Sequence, residues 1–291
     1  MDWNHRDSYN HFNRHFTGMV ESLQPARIML LDVGANDGSW SKAVLFRCAN
    51  LMGGARARAM TELHVFEPQP RFVQDLAMMV RNWPFATVHN AAAWTNDARN
   101  LTFYLSRQST SASLLPIVAK HAGQPRRGDA KISVRTVNLA AFLAARLPPR
   151  PNASKTLVAL KLDVEAAEFD LLPHLLAAGV LCRVHLFVVE WHLNALAPEK
   201  RLAGLGLRLS LSSLLRTGCG ARVRNEPITI HEGAPINNWE QQVPDLWDIA
   251  LYHNGTPVPG QPPSRLVRAW ETSRQWLESQ GAEERNENAP G

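Results

Sequence analysis

The sequence predicts an α/β fold: a mostly parallel sheet with helices on both faces and a small inserted strand and loop region. Short apolar runs alternate with stretches of helical periodicity along most of the chain, the pattern of repeated strand–helix–strand units. The first run, Arg27–Val33, is apolar in the manner of a strand buried on both faces. Two late segments, 221–224 and 247–252, fit the pair of strands that often close such a sheet.

Taken in order, residues 1–26 read as a polar N-terminal extension and 27–256 as the main domain. After the first strand, 39–51 carries helical periodicity. The stretch 53–59, rich in Gly and Arg, reads as a loop. Residues 63–66 form a second strand that ends at Glu67-Pro68. Residues 70–82 form a helix with Pro70 in its first turn, where a missing N–H costs little. A third strand follows at 86–92 and an extra strand at 101–105. The small polar stretch 106–113 reads as either a linker or a lid.

Residues 131–137 return as a strand, 139–146 as a short helix, and 148–154 break the chain. The fourth core strand is 157–162. The helix 166–178 is stopped by Gly179, and the fifth core strand is 184–189. Residues 202–215 read as a helix. The segment 257–291 reads as a C-terminal helix at 264–277 followed by a polar tail.

The chain has 291 residues, 45% of them hydrophobic, enough to bury the core of one α/β domain. The net charge of +5 suits an anionic ligand. Its basic clusters at 56–58 and 126–131 lack interleaved aromatics, so no nucleic-acid partner is expected. Cys48, Cys182 and Cys219 are far apart and none lies in a C-x-x-C pair, so reduced thiols are expected. The first 15 residues carry no apolar signal-peptide core. The most apolar window, 171–189, is interrupted by Pro173, His174, Arg183 and His185, so no membrane span is expected. The expected location is the cytoplasm.

The first strand leads into Asp32-Val-Gly34-Ala35-Asn36-Asp37-Gly38. Gly34 allows a sharp turn and a close backbone approach to a ligand, and Gly38 allows close packing where the helix starts. The spacing is G-x-x-x-G, with Asn36 where a dinucleotide fingerprint needs its second glycine, and no G-K-[ST] is present. A phosphate-binding loop is therefore disfavoured. A carboxylate at Asp32 would repel a pyrophosphate but suits a cationic ammonium group. S-adenosylmethionine carries an ammonium, a sulfonium and no phosphate. Glu67, at the end of the second strand, is placed to accept both hydroxyl protons of a ribose, with Pro68 setting the turn after it.

The second motif is Lys161-Leu-Asp163-Val-Glu165-Ala166-Ala167-Glu168. In an extended segment Lys161, Asp163 and Glu165 share one side, at the carboxyl edge where open α/β sheets bind ligands. A structural ion-pair role is the alternative. The third motif is Val189-Glu190-Trp191-His192, where His192 is a candidate general base because its ordinary pKa lies near working pH. Asp163, Glu190 and His192 are the set a hard divalent cation would draw on. No H-x-H or H-E-x-x-H spacing is present, so no metal is expected.

Together the motifs at 32–38, 65–68, 161–168 and 189–192 resemble, in order and spacing, the FkbM-type methyltransferases, over about residues 29–253. The stretches 90–94, 101–105 and 111–115 resemble that family's middle section. The resemblance implies a class I (Rossmann-like) methyltransferase fold and S-adenosyl-L-methionine as donor. It also implies transfer to a hydroxyl of a sugar, glycan or natural product. Asp32, Gly34, Ala35, Asn36 and Gly38 would then line the methionine part, Glu67 and Pro68 the ribose, and Ala92 or Ala93 the adenine. Asp163 would face the reacting end. His192 would be the base, with Asp163 or Glu165 orienting or substituting. Residues 106–127 and 194–215 would shape the acceptor pocket. One position departs from the family: Ala166 stands where a glycine is usual. Two rival readings are a binding module that keeps the cofactor cleft without turnover and an NAD-dependent oxidoreductase.

Overall fold

In a computed structural model the described residues are 3–98, 100–105, 114, 131–148, 155–196, 198–219, 221–226 and 246–252. The expected linker or lid at 106–113, the acceptor-pocket stretch 106–127 apart from Leu114, the breaker at 148–154 apart from its first residue, and the C-terminal helix and tail lie outside them.

The elements are α1 (Trp3–Leu23), β1 (Arg27–Val33), α2 (Ser39–Met52), α3 (Gly54–Met60), β2 (Thr61–Phe66), α4 (Pro70–Val80), β3 (Ala86–His89) and β4 (Ala92–Trp94). Then come β5 (Leu101–Tyr104), β6 (Lys131–Val134), β7 (Thr136–Asn138), α5 (Leu139–Arg146), β8 (Thr156–Leu162) and α6 (Glu168–Ala177). The last are β9 (Leu186–Trp191), α7 (Pro198–Gly218), β10 (Ala221–Glu226) and β11 (Leu246–Tyr252). Among the described residues the main sheet has seven strands in the order β10-β11-β9-β8-β1-β2-β3. All neighbours are parallel except that β11 runs antiparallel to both β9 and β10. Strand order therefore reverses between β1 and β8, which opens a crevice at their carboxyl ends.

Strand alternation explains why β1 is apolar on both faces. Met29, Leu31 and Val33 pack with Leu139, Leu143, Leu171 and Leu175 of α5 and α6 on one side. Ile28 and Leu30 pack with Trp40, Val44 and Leu76 of α2 and α4 on the other. The same parity puts Asp32 on the α2 side, a point that matters at the site.

Three local expectations change. Residues 1–26 do more than extend the chain: most of them form α1, whose Phe12, Phe16 and Val20 are buried against the core. Each such side chain contributes about 1.5–3 kcal/mol when fully buried, and Phe12 meets Trp40 edge-on at 5.1 Å. The polar residues between them hid the periodicity. The 53–59 loop is largely the short helix α3, in which only Ala57 is buried. Finally, Cys182 and Cys219 are joined as a disulfide, against the expectation of reduced thiols. The link ties a 3-10 turn, Leu181–Arg183, to the residue following α7. A spacing of 37 residues gives no hint of such proximity, which only the packing of α7 beside that turn creates. Cys48 stays free and buried, its thiol pushed up to about 12 by burial, so it is an inert core group.

The inserted region is two small sheets, β4 with β7 and β5 with β6. Ala92, Phe103 and Val134 form its core, with Leu114 against them. It walls the crevice on one side. Among the described residues no helix is long and apolar enough to cross a membrane.

Candidate active site

The loop after β1 turns through three left-handed residues, Gly34 (φ 80°), Asn36 (φ 52°) and Gly38 (φ 76°). A Cβ on Gly34 would fall 1.7 Å from the Asp163 carbonyl oxygen, so only glycine lets this loop lie against the β8 turn. A Cβ on Gly38 would meet the Leu76 side chain at 2.6 Å, which is the close helix packing expected of it. Asn36 is among the few side chains that tolerate the left-handed region. That conformation aims its N–H at Glu67 Oε2, 2.8 Å away.

Glu67 is held from both ends. Its Oε1 accepts from the Gln69 N–H at 2.8 Å, and Asn90 Nδ2 donates to the carbonyls of Glu67 and Pro68, each at 3.2 Å. Burial pushes the Glu67 carboxyl up to about 7, against the pull of the two N–H donors and of Lys161.

These residues line one half-open cleft where the β1 and β8 loops meet. Of the expected residues, Gly34, Asn36, Glu67, Pro68, Ala92, Ala93, Asp163 and Glu165 reach its wall. Ala35 and Gly38 stand behind it as loop backbone. Asp32 stands behind it too. It is fully buried, Ser41 Oγ donates to its Oδ2 at 2.6 Å, and Lys161 Nζ is 3.3 Å from its Oδ1. Its carboxylate thus supports the loop from the α2 side and does not face a ligand's ammonium. The apolar wall formed by Phe66, Phe103, Leu114 and Val164 is the part that motif reading missed. Its members lie far apart in sequence and carry no chemistry that marks them.

Lys161 Nζ also donates to Gly34 O at 2.7 Å and pairs with Asp163 Oδ2 at 3.0 Å, so it binds both loops together. The expected common side for Lys161, Asp163 and Glu165 extends only to Asp163. Beyond it the chain leaves the strand, and Glu165 (φ 50°) and Ala166 (φ 76°) both turn left-handed. Ala166, where the sequence resemblance leads one to expect glycine, does need a glycine-like backbone, and the alanine adopts it.

The turn carries Glu165 towards His192, which follows β9. His192 Nε2 lies 3.7 Å from Asp163 Oδ1, 3.7 Å from Glu165 Oε2 and 3.8 Å from Glu190 Oε1. On the other edge of the ring, Glu168 Oε1 is 3.2 Å from Nδ1 and accepts from the His192 backbone N–H at 2.6 Å. Burial alone would push the imidazole down. Glu165, Glu168 and Glu190 outweigh it and hold the ring well above the ordinary histidine range. Glu168 was part of the motif, but its place behind the ring comes from α6 packing against β9.

A family model described as "Methyltransferase FkbM domain" matches residues 32–209. No curated protein matches the chain. Among solved structures, the chain is similar to a precorrin-6y C5,15-methyltransferase from Geobacter metallireducens GS-15 (10% identity, 83% of this chain and 87% of that one, TM-score 0.36). It is similar to the 23S rRNA methyltransferase ErmE (11%, 89% and 72%, TM-score 0.38). It is also similar to the SAH-bound Podospora anserina methyltransferase PaMTH1 (9%, 87% and 89%, TM-score 0.35).

Proposed function

This chain belongs to the FkbM methyltransferase family, and from that premise we propose that it transfers the methyl group of S-adenosylmethionine to a hydroxyl oxygen of a sugar, glycan or related small molecule. Methylation with S-adenosylmethionine as donor goes with the family, and the oxidoreductase reading falls with it. The observation that carries the rest is one cleft lined by Gly34, Asn36, Glu67, Asp163 and Glu165.

The chemistry of the cleft lining suits the donor. Its polar groups are carboxylates and loop backbone, which accept from ribose hydroxyls and ammonium groups and repel phosphate. Glu67, pre-oriented by the N–H groups of Asn36 and Gln69, would hold the ribose, and Gly34 and Asn36 the methionine part. Ala92 and Ala93 would leave room for the adenine.

When bound, S-adenosylmethionine supplies an activated methyl whose C–S bond breaks as the new C–O bond forms, leaving a neutral thioether. The protein's task is to align the acceptor oxygen and take its proton. Asp163 and Glu165 line the cleft, whereas the His192 ring is almost fully buried with Nε2 3.7 Å from each, so the two carboxylates are the better-placed proton acceptors and His192 acts through them as a positioning residue.

The test is incubation with methyl-labelled donor and extracts of glycans, lipids and small molecules. Label that survives mild alkali and resides in methyl ethers supports the reading. Donor binding with no label transferred to any fraction would instead favour a binding module without turnover.

A further inference from the structure

The geometry points to a divalent-cation site formed by Asp163, Glu165 and His192 Nε2 where the β8 and β9 ends meet the cleft. One ligand atom from each lies within 4.8 Å of the others. The arrangement is poorly explained as an ion pair. An imidazole Nε2–H can serve one charged oxygen at about 2.7–2.9 Å. Here three carboxylate oxygens, from Asp163, Glu165 and Glu190, stand off one nitrogen at 3.7–3.8 Å, and none takes the hydrogen bond. Two ligands of one small divalent ion, each at about 2.0–2.2 Å from it, stand roughly 3–3.5 Å apart. The two His192 spacings, 3.7 Å each, are slightly wider than that.

A second observation is independent of the acidic residues on the cleft. The His192 side chain is 2% exposed, and its Nε2 is aimed at them without a hydrogen bond. The ring is fixed in that pose from behind by Glu168, itself fully buried, through both Nδ1 and the backbone N–H. A buried carboxylate on the far nitrogen is the usual partner of a ligating histidine, since it orients the ring and raises its basicity. Access exists as well, because Asp163 and Glu165 line the cleft. Two carboxylates and one imidazole suit a borderline-hard ion of the Mn²⁺ and Zn²⁺ kind. In so far as the methyl-transfer reading holds, a cation here would acidify an acceptor hydroxyl brought against it.

The test uses full-length protein stripped with chelator and titrated with Mn²⁺ alone, free Mn²⁺ being followed by electron paramagnetic resonance. The expected result is one ion per chain. Glu165→Gln should lose at least tenfold in affinity, and Glu168→Gln on the order of 10–100-fold as a supporting partner. His192→Asn should lose most, with far-UV circular dichroism reporting whether it has folded. Glu165 sits on a turn at the cleft, so its variant keeps the test decisive if His192→Asn misfolds. No saturable binding, or unchanged binding in Glu165→Gln, overturns the site. Donor binding is measured separately by calorimetry on metal-free protein. Mn²⁺ binding without donor binding would sink the methyl-transfer reading and leave the site standing. Donor binding without Mn²⁺ binding would do the reverse.

Discussion

Lys161 and Asp32 are register partners on adjacent parallel strands, and their side chains meet at 3.3 Å with both almost fully buried. The same ammonium group reaches Gly34 O and Asp163 Oδ2. One buried cation therefore bridges two carboxylates and pins the two loops that frame the cleft. Removing one member of such a set leaves an uncompensated charge in the core. Lys161→Met should cost about 3–5 kcal/mol in denaturant unfolding. Adding Asp32→Asn should recover part of the loss. A single variant of wild-type stability would show that Lys161 is dispensable to the loops.

Ala166 holds a left-handed backbone at φ 76°, where a Cβ costs roughly 1–2 kcal/mol. Glycine relieves that strain but gives back some entropy in the unfolded chain. Ala166→Gly should therefore stabilise the protein by about 1 kcal/mol or less, seen as a rise in the denaturation midpoint at constant slope. A fall in the midpoint would mean that the buried Ala166 methyl contributes more by packing than its backbone costs.

Glu67 titrates near 7 because it is buried, and only its ionised form is a full acceptor for ribose hydroxyls. Donor affinity should be constant above that pH and fall towards tenfold per unit below it, measured by calorimetry from pH 8.5 to 5.5. Glu67→Gln should bind more weakly and lose this pH dependence. For stability the sign is opposite. A carboxyl raised in the folded state favours the fold below its unfolded pKa, and that contribution is lost as pH rises towards 7.

If His192 positions Asp163 and Glu165, its replacement should act on turnover. His192→Ala should lower kcat by about 10²-fold or more while donor affinity changes little. Equal losses in donor affinity and kcat would point to collapse of the cleft instead.

The Cys182–Cys219 link closes a loop of 37 residues in sequence separation. Cys219→Ser should cost about 2–4 kcal/mol in unfolding without reductant. Wild-type protein with dithiothreitol should match the variant. Peptide mapping without reduction should recover the two cysteines joined. Finding both as free thiols would refute the link.

The alternation of apolar runs, the G-x-x-x-G loop, Glu67 and the two acidic motifs could be read directly, because each depends on neighbours within a few residues. Local periodicity decides strand and helix, and a turn chooses its glycines by local sterics. The class of cofactor followed from the resemblance that these short segments carry together, while the ammonium argument from Asp32 fell once that carboxylate proved buried behind the loop. α1 and α3 escaped this reading since their burial depends on partners elsewhere, and so did the apolar wall of Phe66, Phe103, Leu114 and Val164.

What required the folded chain was direction and neighbourhood. Parity along β1 sent Asp32 to the α2 side, and the turn after β8 put Asp163 and Glu165 on the cleft. The left-handed turn at Glu165 and Ala166, together with α6 against β9, brought Asp163, Glu165 and Glu168 of one segment to His192 and Glu190 of another. Such a gathering depends on strand register and helix packing between residues dozens of positions apart, and no local pattern encodes those distances. The alternating runs and the acidic motifs thus determined the sheet and the donor class, and packing across the sheet decided which groups meet there.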